Sequence, residues 1–331
     1  MDSSPATTWI EMLGGVIHES KRVVSAHSRH FLALSVLFLL PLSSLLVAFP
    51  SIPFSFISNP SPYPPHSLLR SSSSSPPFSA ASSSIIIAVF AATLLLTLSA
   101  SAAVAHSVHR GFFGRPVKLL PTLRSLPASL GRLLLTLLAA VLPVALLVTL
   151  VSSLLLLSLK SVYFFHFSNT HLAVILIYSV FSTISTIGLI YILLNWSLAG
   201  AIAIMESSFG FGTLKRSARL ICGMRLAALC LFLFFAAGIG SMLWGFSLGR
   251  AAGEAGGWSK VVPVVARTVF GSGIIAVLLL YSIVTNVVLY LYCKALHGEL
   301  AEEIAGEFAS EYVCLPFDNQ KAPHIVSVIL Q

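Results

Sequence analysis

Hydrophobic positions along this chain gather into six long runs, at residues 31–49, 85–105, 133–159, 172–194, 226–244 and 269–292. Each is near or above the roughly 20 apolar residues that carry a helix across a bilayer. The pattern predicts an all-α, polytopic membrane protein. Its centre is a six-helix transmembrane bundle over residues 31–293, with cytosolic amphipathic helices beside it. The third run is too long for a straight perpendicular crossing, so a tilt or a kink at Pro143 is expected. Pro41 is expected to kink the first run.

The segments between the runs differ in character. Residues 8–30 read as an amphipathic helix, with Trp9, Met12, Leu13, Val16 and Ile17 on one face and Val23 and Val24 continuing it. Thr8 and Glu11 have the spacing of a capping box, while Gly14-Gly15 weakens the helix. Two placements fit: lying in the membrane surface, or packed on the cytosolic end of the bundle. Residues 50–84 are rich in Ser and Pro and are expected to form a disordered external loop. The second connection mixes Phe112, Phe113 and several Leu residues with Arg110, Arg115, Lys118, Arg124 and Arg132. Pro116, Pro121 and Pro127 are expected to break any long helix there. The basic residues Arg110, Arg115, Lys118 and Arg124 either contact anionic lipids, at about 1 kcal/mol each, or form an ordinary basic loop. Direct nucleic-acid binding is not expected of a segment held at the membrane.

Charge sets the threading. With an even number of spans both ends share a side. That side carries 14 of the 19 Lys and Arg residues, and the other carries Arg70, Lys160, Arg250, Lys260 and Arg267. The positive-inside rule therefore predicts cytosolic termini in a plasma or endomembrane protein. No cleaved signal peptide is expected, because no small-x-small pattern follows the first run. Cys222 and Cys314 fall on the cytosolic side, Cys293 at that end of the sixth run, and Cys230 within the fifth, so no structural disulfide is expected. Only 9% of residues are charged. With six spans in 331 residues, no remaining piece is long enough for a separate catalytic domain.

The most specific local pattern joins the fourth and fifth runs: Asn195-Trp196-Ser197, then Glu206, Gly210, Lys215-Arg216-Ser217, Leu220 and Gly223. Glu206 is the only acid between Glu19 and Glu254, and a short basic helix follows it. The expectation is that Glu206 pairs with the segment 215–219 and closes the cytosolic end of spans four and five. Glu206, Gly210, Lys215, Arg216, Ser217 and Gly223 thus form a candidate structural interface. This block resembles the membrane domain found with some bacterial glycerophosphoryl diester phosphodiesterases. It departs from that pattern in lacking a Pro before the Glu and an aromatic after the Ser. The catalytic barrel is absent, so the resemblance implies no phosphodiesterase activity. Most of the chain outside residues 50–84 is also similar to a plant family of uncharacterised six-span membrane proteins, some labelled as binding a poly(A)-binding protein. Residues 19–22 and 26–31, the Glu206 block and the stretches 292–294 and 315–317 carry that likeness, which implies no activity.

The tail, residues 294–331, is acidic. Leu296, Leu300, Ile304 and Phe308 recur every four residues, beside a stripe of Glu299, Glu303, Glu307 and Glu311. A helix following the sixth span is expected, and its like charges call for a cationic partner. That partner is either the protein's own basic loops or a cytosolic protein.

Polar residues in span four (Tyr178, Ser179, Ser182, Thr183, Ser185, Thr186) and span six (Tyr281, Ser282, Thr285, Asn286) read as interhelical hydrogen-bond formers or the lining of a polar path. No Asp, Glu, Lys or Arg sits in the middle of a run, which argues against proton coupling. His106 and His109, at i,i+3, are a weak metal candidate. No P-loop, HExxH or GxSxG occurs. No catalytic residue, cofactor or metal is expected. The expected function is a non-enzymatic scaffold or adaptor working from its cytosolic face; the alternative is a carrier or channel for a neutral or lipid-like substrate.

Overall fold

The computed structural model describes residues 9–48, 80–114, 119–164, 170–251, 258–302 and 304–305. Among them there are helices and no strands. Helix α1 is Trp9–Ala26. Helix α2 runs from Ser28 to Ala48 and contains a π-turn, Ser35–Leu39. Next come α3 (Ala80–Phe112), α4 (Leu119–Phe164), α5 (Thr170–Asn195), α6 (Ala199–Met205), α7 (Phe211–Leu220), α8 (Arg225–Ala251) and α9 (Trp258–Leu296). Six stretches are long and apolar enough to cross a membrane: Ser28–Ala48, Ser84–Phe112, Arg124–Ser161, Val174–Met205, Arg225–Phe246 and Val269–Leu296. The protein is a multi-pass, all-α membrane protein. Many apolar side chains face outward, Leu146 at 68% and Ile175 at 67% exposure among them. A bilayer is the solvent that removes the cost of such a surface.

The core lies toward the end of the bundle where α1, the α6–α7 corner and the start of the tail gather. Helix α9 is its centre: Val287, Val288, Leu289, Tyr290, Leu291 and Cys293 are all buried. A helix apolar on every side belongs inside, and α9 touches α1, α2, α3, α6, α7 and α8. Helix α3 approaches it closely because Ala100, Ala102, Ala103 and Ala105 leave little side chain between the backbones. The distal halves of α4 and α5 pack on each other, with Gly188 against Leu147.

Helix α1 packs on the bundle, with Val16, Glu19, Ser20 and Val23 buried. Gly15 explains part of this. A Cβ there would come 3.3 Å from the Tyr292 hydroxyl of α9, so the glycine that weakens the helix lets it dock. Trp9, Ile10 and Ile17 remain exposed on its other side.

Two local expectations are corrected. Pro121 and Pro127 do not break the second connection; α4 runs through both. Pro121 lies in the first turn, where the missing N–H has no intrahelical acceptor anyway. Pro127 forfeits one bond in a helix buried along Thr122, Leu126, Ser129 and Leu133. Second, α3 begins at Ala80, so the Ser/Pro-rich segment is helical over its last residues, while 49–79 lie outside the described residues. The tail follows α9 closely, as expected, after a short break. Gly298 takes a left-handed conformation (φ +77°), ending α9, and a new helical turn starts at Glu299. At Pro41 the chain relieves the clash by the preceding π-turn, which widens the helix where Pro would meet a carbonyl.

Candidate functional site

The fourth span is broken near its end, and the site is built on that break. Trp196–Leu198 form a turn in which Ser197 N–H bonds to the Leu194 carbonyl and Ala199 N–H to the Trp196 carbonyl. These tight bonds bypass the carbonyls of Asn195 and Ser197. Side chains take their place. Ser217 Oγ of α7 donates to the Asn195 carbonyl at 2.7 Å, and Asn286 Nδ2 of α9 donates to the Ser197 carbonyl at 2.9 Å. Irregular backbone at membrane depth persists where other parts of the protein satisfy it.

Helix α6 then delivers Glu206 to the boundary. The next residues reverse the chain. Ser207 adopts φ +55°, Gly210 adopts φ +71° with ψ −144°, and Ser208 meets Thr213 hydroxyl to hydroxyl at 3.2 Å. Only glycine tolerates the Gly210 conformation readily. The Gly210 N–H donates to Thr136 Oγ1 of α4 at 3.4 Å. Helix α7 returns along the boundary with Thr213, Leu214, Ser217 and Leu220 buried.

On this frame five side chains converge, from the α6–α7 corner, α9 and the start of the tail. Arg216 Nε pairs with Glu206 Oε2, and Arg216 Nη2 contacts Glu299 Oε2 at 2.7 Å. Tyr290 donates its hydroxyl to the second Glu206 oxygen at 2.9 Å. Lys294 Nζ lies 6.0 Å from the centre of the Tyr290 ring. Glu206 is 16% exposed, against 33% for Arg216 and 34% for Glu299. Burial alone would lower the Arg216 pKa. The hydrogen bond and charge of Glu206, with Glu299 and Tyr290 beside it, outweigh burial and hold the guanidinium above its ordinary value. It stays charged at every physiological pH.

The sequence singled out Glu206 and the cations near it. The structure puts Arg216 on Glu206, while Lys215 is exposed. Ser217 seals the helix break, and Gly210 shapes the reversal. Gly223 (φ +102°) turns the chain from α7 into α8, where a Cβ would come within 3.2 Å of Leu296. Replacing Gly223 by Ala should therefore cost about 1–3 kcal/mol in backbone strain and crowding, read as a lowered unfolding midpoint in nanodiscs. In the tail, Leu300 packs on the main core and Ile304 is half-buried, while Leu296 is 54% exposed. Glu303, Glu307, Glu311 and Phe308 lie outside the described residues, as do Arg115 and Lys118. Arg110 and Arg124 are exposed.

Tyr290 was not legible in the sequence as a partner of Glu206. One signal pointed to it: Tyr290 lies one helical turn from Asn286 and from Lys294, so the three share a face of α9. Most polar residues of the fourth span prove to be peripheral. Ser179, Thr183 and Thr186 are exposed, and each bonds to a carbonyl of its own helix. A small cleft of about 70 Å³ does lie between spans four, five and six, lined by Ser197, Ser282, Thr285 and Asn286 with Phe232 and Phe235. Ser197 Oγ is buried there without a hydrogen-bond partner among the described residues. His106 bonds Ser129 at 3.1 Å, and His109 meets Phe113 edge to face. No group of three or more metal-ligating side chains occurs among the described residues.

The chain belongs to the family described as Domain of unknown function (DUF8558), whose model matches residues 1–315. The matched region takes in all six spans and the whole Glu206–Arg216–Glu299 cluster. No curated protein and no solved structure matches the chain.

Proposed function

We propose that this protein is a non-enzymatic membrane scaffold, working from the end of the bundle that carries the charged cluster. The observation behind this reading is Arg216, which grips the fourth span through Glu206 and the tail through Glu299 at the same time. A tail tethered by one flexible link would sample a wide volume. A tail whose first turn is fixed leaves the membrane from a set point and offers its remaining length to a partner. The 14-to-5 bias of basic residues supports a cytosolic placement of this end, and with it a cytosolic protein as the partner. Arg110 and Arg124 stand exposed on the same end, positioned for anionic lipid headgroups.

A labelling enzyme fused after the C-terminus reads the partners in cells. The full chain should mark a reproducible set of cytosolic proteins, and Arg216→Gln should change that set. A set indistinguishable from that of an unrelated six-span protein in the same membrane would sink the scaffold reading. Protease protection on sealed vesicles tests the orientation; a tail that survives digestion from the cytosolic side overturns it.

The polar cleft favours a second reading, a carrier for a small neutral solute. Its size weighs against that. At about 70 Å³, and with about 10–15 Å³ needed to seat a water, the cleft takes a few waters and lies well below the roughly 300 Å³ of a small-molecule pocket. Proteoliposomes should therefore take up glycerol or urea no faster than empty vesicles; faster uptake would favour the carrier.

A further inference from the structure

The reversal between α6 and α7 carries features that its role as a connection does not explain. Phe209 and Phe211 are 63% and 59% exposed, although each flanks a residue whose backbone is held by Thr136. The loop that presents them contains a non-glycine residue in the left-handed region, Ser207. Such strain persists where the surrounding structure dictates it. Here it turns two phenyl rings outward at the boundary between a membrane span and the next helix. Phe211 heads a stripe on α7 whose other members, one turn apart, are Lys215 and Arg219. Both are exposed. Among the described residues neither forms an ion pair, and the neighbouring acid, Glu206, is already held by Arg216 and Tyr290.

Aromatic rings beside unpaired cations at a membrane boundary match the layering of a phospholipid: acyl chain below, phosphate above. We propose that the exposed face of the α6–α7 corner is a binding site for an anionic phospholipid. Phe209 and Phe211 take the glycerol and upper acyl region, and Lys215 and Arg219 take the headgroup. Spans four and five flank α7, so the occupant is a lipid of the surrounding leaflet and not a soluble phosphate. The paired Glu206 matters to this. A free carboxylate there would repel the headgroup, and Arg216 removes its charge from the site without spending either exposed cation.

The test is lipid titration followed by native mass spectrometry of the full chain in detergent, with phosphatidylserine and phosphatidylcholine of matched chains. The wild-type protein should retain phosphatidylserine in preference. Lys215→Gln with Arg219→Gln should weaken phosphatidylserine on the order of tenfold to thirtyfold, from the usual contribution of a basic residue near a membrane surface, and leave phosphatidylcholine unchanged. Lys215→Arg with Arg219→Lys, which keeps both charges, should keep the preference. An unfolding midpoint equal to wild type verifies that the Gln pair is folded; the single Lys215→Gln, with a smaller loss, serves if it is not. Equal retention of the two lipids by wild type overturns the proposal. So does a preference that survives the Gln pair, or one that millimolar glycerophosphate abolishes.

Discussion

Replacing Arg216 by Gln should lower the stability of the membrane domain by about 2 kcal/mol, more than any other single change at the charged corner. Breaking a fully buried pair by removing one partner costs ~3–5 kcal/mol, because the charge left behind has lost both water and its counter-ion. Glu206 is in that position, 16% exposed and held between Arg216 and Tyr290. Arg216 is one-third exposed, so water replaces part of what is lost and the figure falls below the buried range. Glu299→Gln should cost less than ~1 kcal/mol, since that pair sits nearer the surface. Arg216→Lys should fall between wild type and Gln: a single ammonium cannot present separate nitrogens to two carboxylates. A double-mutant cycle on unfolding in nanodiscs measures this. Glu206→Gln and Arg216→Gln together should destabilise less than the sum of the two. Strict additivity would mean that Glu206 is hydrated and the contact carries no energy. A second readout separates the tail from the bundle. Hydrogen exchange at residues 299–302 should speed up in both Arg216→Gln and Glu299→Gln, and at residues 199–206 only in the former.

The elements of this corner were unequally readable from the chain. Six apolar runs of bilayer length fix six crossings almost without alternatives, because a backbone in hydrocarbon has to bond to itself. A lone acid before a basic helix also identifies itself. Which of Lys215, Arg216 and Arg219 meets Glu206 does not. The answer depends on the rotation of α7, which is set by two residues of positive φ in the reversal, Ser207 and Gly210. Gly210 announces such a backbone; Ser207 does not. The break at 196–198 was hidden for a similar reason. Trp-Ser-Leu contains neither Pro nor Gly, and the signal lies far away in sequence, in Ser217 and Asn286, whose partners become visible only in three dimensions. The prolines of the second connection misled in the opposite direction. Their local cost is real, but burial along one face of α4 outweighs it. The tail showed its periodicity and charge, yet the register at which it meets the bundle is set by Gly298.

The break in the fourth span gives the other large expected effect. Asn286→Leu should destabilise the domain by about 1–2 kcal/mol, since it leaves the Ser197 carbonyl without a donor where no replacement is at hand. Asn286→Ala should cost less, although it removes more of the side chain. The adjoining cleft already has room for a few waters and presents the unbonded Ser197 hydroxyl. The smaller residue enlarges it, so that water can bond to the carbonyl in place of the amide. A leucine fills that space and excludes the water. Ser217→Ala removes the donor on the opposite side of the turn and should cost a similar 1–2 kcal/mol, with faster hydrogen exchange along residues 211–220. Because both donors hold the same three-residue turn, the Ser217→Ala and Asn286→Leu costs should not add. Once one is gone, the turn relaxes and the second has less to hold. Unfolding midpoints of the four variants in one nanodisc composition decide the matter. If Asn286→Ala proves as costly as Asn286→Leu, the cleft admits no water, and the amide is holding the two spans together by contact instead of by its bond to the carbonyl.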